Sequence, residues 1–153
     1  MLVTAHDERD LEAFLSVLGA HVGRSGATTT IDLYADDDLP EEAEAAFRAL
    51  RDRADAEPHE GERSFPLRRL LNRPDPYMGR EIDLTDEADL RRFALLAHRV
   101  IHCESWSGNR QLLSASGPYT PLWLGLGDGE ARGLVDAARR AGAGTLRIVD
   151  AGD

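Results

Sequence analysis

The hydrophobic period of this chain changes partway along, and that change restricts the fold more than any other feature. Up to about residue 100 the apolar residues recur at helical spacing: Leu11, Phe14, Leu15, Leu18 and Val22; then Ala43, Ala46, Phe47, Leu50 and Ala54; then Leu90, Phe93, Leu96, Ala97 and Val100. Each set is the stripe of a helix that buries one face. From Val100 the period drops to two. Val100–Trp106, Arg110–Ser116 and Leu122–Leu126 alternate as strands do. A further helical stripe, Ala131, Leu134, Val135 and Ala138, precedes a last β-branched run at Thr145–Val149.

Local signals place the ends. Asp7 is positioned to cap a helix running to about Val22, with Glu8 and Asp10 in its first turn and Gly23 ending it. Pro40 falls near the first turn of the second helix, Thr85 caps the third and Asp128 the last. Leu2–Ala5, Thr28–Tyr34 and Ile82–Leu84 read as further strands. The resulting order, β-α-β-α-loop-β-α-β-β-β-α-β, implies an α+β two-layer sandwich. About four helices pack on one face of a mixed or antiparallel sheet of five to seven strands. The 153 residues suit a single domain, 1–153, able to bury roughly two-thirds of its unfolded surface. Residues 57–80 break the pattern: four of the seven prolines and five arginines fall there, so an irregular Pro/Arg-rich connection is expected.

Charge is sorted along the chain. Residues 1–62 carry sixteen Asp/Glu against five Arg, whereas residues 63–110 carry nine Arg against seven acids. All eighteen cationic residues are Arg, so lysine-based covalent catalysis is excluded. The lone Cys103 cannot form an internal disulfide, and MLVTAHDERD lacks the basic and apolar parts of a signal peptide, so the cytoplasm is the expected location. No apolar run reaches the roughly 18–20 residues that span a bilayer. A formal charge of −10 disfavours nucleic acid as a partner.

Four groups of residues bear on function. Asp36, Asp37, Asp38, Glu41 and Glu42 form an acid run without the spacing or central Gly of a calcium loop, so it reads as a docking surface for a basic protein or as a solvated helix start. His98, His102 and Cys103 lack the second Cys or the Glu that would make a zinc pattern. They read as partly exposed histidines beside a small core cysteine.

His102, Glu104 and Trp106 recur with period two and line one side of a strand, where Arg110 and Trp123 can join them. A three-residue loop would set Arg110 opposite Trp106. A two-residue Gly108-Asn109 turn would set Gln111 there instead and pair Ser107 with Arg110. Arg68, Arg69, Arg73 and Arg80 form a basic segment suited to anionic groups or to the acids of the first half.

Phosphate-loop, dinucleotide and nucleophile-elbow motifs are missing, and no residue pattern calls for a cofactor or metal. The expected function is therefore a protein-binding module of the accessory, immunity or antitoxin kind, acting by binding rather than catalysis. A pocket beside the 100–116 hairpin, with His102 as general base, is the enzymatic or small-molecule-binding alternative. A homodimer through the open sheet face is a further expectation.

Overall fold

The computed structural model describes residues 1–57 and 75–149. Among these, seven strands form one open, entirely antiparallel sheet, and four helices make the second layer. The strands are β1 (Leu2–Ala5), β2 (Thr28–Asp32), β3 (Arg80–Ile82), β4 (His102–Ser107), β5 (Arg110–Ala115), β6 (Leu122–Leu124) and β7 (Leu146–Val149). The helices are α1 (Glu8–Arg24), α2 (Glu41–Ala56), α3 (Glu87–Leu96) and α4 (Asp128–Arg140). Across the sheet the order is β3-β2-β4-β5-β6-β1-β7. The α+β sandwich that the two periods imply is the fold.

Pairing sorts the side chains. Thr29, Ile31, Cys103, Ser105, Leu113, Ala115, Leu122, Leu124, Val3 and Leu146 share the inner face, and each is almost wholly buried. The helix stripes meet them through Phe14, Leu15, Leu18, Leu50, Phe93, Leu96 and Val135. Two polar groups on this face satisfy each other: Thr29 Oγ1 lies 2.8 Å from Ser105 Oγ. Helix α1 packs between α3 and α4, and α3 lies against α2.

Several expected ends move by a few residues, each for a physical reason. Gly23 does not end α1; the helix runs to Arg24 and Ser25 closes it. A Cβ on Gly23 would stand 2.7 Å from the Leu84 carbonyl oxygen, so this glycine is required by close backbone packing rather than by a turn. The cap of α3 is Asp86, whose carboxylate accepts the Asp89 N–H at 2.9 Å, while Thr85 is drawn off to Asp83. The same helix stops at Leu96 rather than Val100. For α4 the cap is Gly127, and the Glu130 carboxylate reaches back to its N–H at 3.4 Å.

Strand β3 begins at Arg80, inside the expected irregular connection, and pairs with β2 through Ile31↔Arg80 and Thr29↔Ile82. The chain leading into it is tied to α2. Arg51 stacks on the rings of Tyr34, Phe47 and Tyr77, with its guanidinium carbon 5.2, 4.9 and 4.2 Å from their centres, and donates to the Leu33 carbonyl. Tyr34 and Tyr77 donate to Asp75 and Asp55, and these bonds raise both phenol pKa values. Among the described residues, no helix is long and apolar enough to cross a membrane.

Candidate functional site

The acid run lies on the loop between β2 and α2 and on the first turn of that helix. Pro40 fixes the entry to α2, and Glu41, Glu42 and Glu44 occupy the first turn, where the helix dipole favours negative charge. Asp36, Asp37, Asp38, Glu41 and Glu42 are all exposed. Glu42 meets the exposed Arg91 at 3.5 Å; among the described residues Asp36, Asp37, Asp38 and Glu41 pair with no cation. Asp32, just upstream, is different. It is buried, and its carboxylate accepts the Gly79 N–H at 2.6 Å.

The start of α1 faces the start of α2 across an open cleft of about 990 Å³. Asp7, Glu8 and Glu12 come from the α1 side and Glu41 and Glu42 from the α2 side, with Arg9 and Arg99 as the cations. Arg99 is buried, donates to the Leu95 carbonyl at 2.6 Å, and meets Glu8 and Glu12 at 2.7 Å each. Its charge is thus consumed within the fold. The remaining carboxylates of the rim face solvent together with Asp36–Asp38. Sequence reasoning found one wall of this cleft and missed the other. The signal for Glu8 and Glu12 was their helical spacing of four, which puts both on one face of α1.

The hairpin takes the two-residue turn. Gln111 stands opposite Trp106 and Ser107 opposite Arg110, with Gly108 at φ +57° in the first turn position. A bulge follows between Ser105 and Trp106. His102, Glu104 and Trp106 do share the outer face of the sheet. His102 Nε2 lies 3.4 Å from Glu104 Oε2, and Gln111 Nε2 donates to the same oxygen at 3.0 Å. Trp123 lies on this face on β6, opposite Ser114, which in turn faces Glu104. Arg110 does not join them: it pairs with Ser107, one position past Trp106, and donates to the Gly125 carbonyl at 3.0 and 2.6 Å.

His98, His102 and Cys103 diverge. His102 belongs to the outer face, Cys103 is buried on the inner face with its thiol pKa pushed up by burial, and His98 is buried in the turn after α3. The expected partly exposed histidine at position 98 is therefore a buried one. Of the basic segment, Arg80 lies in β3 and contacts Glu57 through its carbonyl at 3.4 Å and its carboxylate at 3.7 Å. Arg68, Arg69 and Arg73 lie outside the described residues. No family model, no curated protein and no solved structure matches this chain.

Proposed function

We propose that this protein is a small acidic binding module of the accessory, immunity or antitoxin kind, which acts in the cytoplasm by holding a basic protein partner rather than by catalysis. The observation that carries this reading is the convergence of two acid-rich helix starts on one open cleft. Electrostatic steering follows from it, because exposed carboxylates of one sign raise the encounter rate with a basic surface and fix its orientation.

The test uses a synthetic hexa-arginine peptide and surface plasmon resonance. Association should slow steeply between about 50 and 300 mM salt, as screening shortens the reach of the charges. Neutralising Asp36, Asp37, Asp38, Glu41 and Glu42 to their amides should weaken binding at least tenfold. An association rate indifferent to salt, or to the five changes, would sink the reading.

A second reading rests on the outer face of the sheet, where Trp106 and Trp123 are 38% and 39% exposed. Two such faces can meet in a homodimer. Light scattering at high protein concentration checks this directly: a monomer removes it.

A further inference from the structure

We draw no further inference here: the strongest candidate, the outer face of the sheet where Trp106 and Trp123 share the surface with Glu104 and Gln111, carries none because nothing in the structure shows what covers it.

Discussion

Helix α3 has a buried polar side chain near each end, and the two are handled in opposite ways. At the start, Asp89 is 4% exposed and fully engaged. Arg53 Nη1 lies 3.0 Å from both of its oxygens, Arg92 Nη1 donates at 2.8 Å and the Asp83 N–H at 3.2 Å. Burial alone would raise its pKa, but the hydrogen bonds from Arg92, Arg53 and Asp83 outweigh it and hold the carboxyl below its ordinary value. Just past the other end, His98 is as deeply buried, and its ring nitrogens have no hydrogen-bond partner among the described residues. Asp89 serves the fold, joining α2, α3 and the approach from β3. An unbonded imidazole at this depth is a cost to the fold that Asp89 does not carry.

The largest way to test that contrast is to remove the satisfied member. Asp89→Ala leaves Arg53 and Arg92 without their shared carboxylate and should cost about 3 kcal/mol in urea unfolding. Replacing the group together, as Asp89→Leu with Arg53→Met, should recover part of that loss. Full additivity of the two changes would show that the pair is not coupled.

The unsatisfied member should show itself through pH. Its folded pKa of about 3 lies below the ordinary 6.5 of the unfolded chain, so between these values the unfolded state takes up a proton that the folded state refuses. Stability should therefore fall as pH drops from 6.5, by about 2 kcal/mol at pH 5. The lowered carboxyls, Asp10, Asp83 and Asp89, have an ordinary value of 3.8 and lose their contribution further down. The window above pH 5 thus separates His98 from these three carboxyls. His98→Leu should flatten the curve there, and an unchanged slope would mean that His98 is protonated in the fold.

Smaller effects sharpen the picture. Tyr119 is exposed and takes φ +64°; Tyr119→Gly removes that left-handed strain, and the gain exceeds the added freedom of the unfolded chain, for a rise of about 0.5 kcal/mol. A marked loss would show that the Tyr119 ring packs in the fold. The five amide changes in the acid run should move stability by less than about 0.5 kcal/mol, since the side chains are exposed, while binding changes strongly. A large stability change would place those acids with Asp89 as structural groups.

How far the sequence foretells all this follows from the range of the forces involved. The stripes of α1, α2, α3 and α4 are local patterns, and a helix forms at each, although α3 stops at Leu96, short of its last stripe residues Ala97 and Val100. The alternation of Cys103 with His102 and Glu104 likewise puts the thiol inside and the other two outside. Pairing partners are not local. The choice between the two hairpin registers turned on which residue took positive φ, and Arg110 left the outer face as a result. His98 and Asp89 look alike as polar residues near an apolar stripe. Asp89 has a local partner in Arg92, three residues on, but its contact with Arg53 comes from α2, which no pattern within residues 86–100 encodes.

The sheet order also sets a schedule for folding. Strand β1 hydrogen-bonds only to β6 and β7, so the first strand made waits more than a hundred residues for its neighbours, whereas β4, β5 and β6 can pair as soon as they emerge. Closing so long a loop is slow, and until it happens the inner faces of Val3 and α1 have no sheet to cover them. A ribosome-bound chain that ends before β6 should consequently be protease-sensitive around α1 and should hold there the largest exposed apolar surface of the whole pathway.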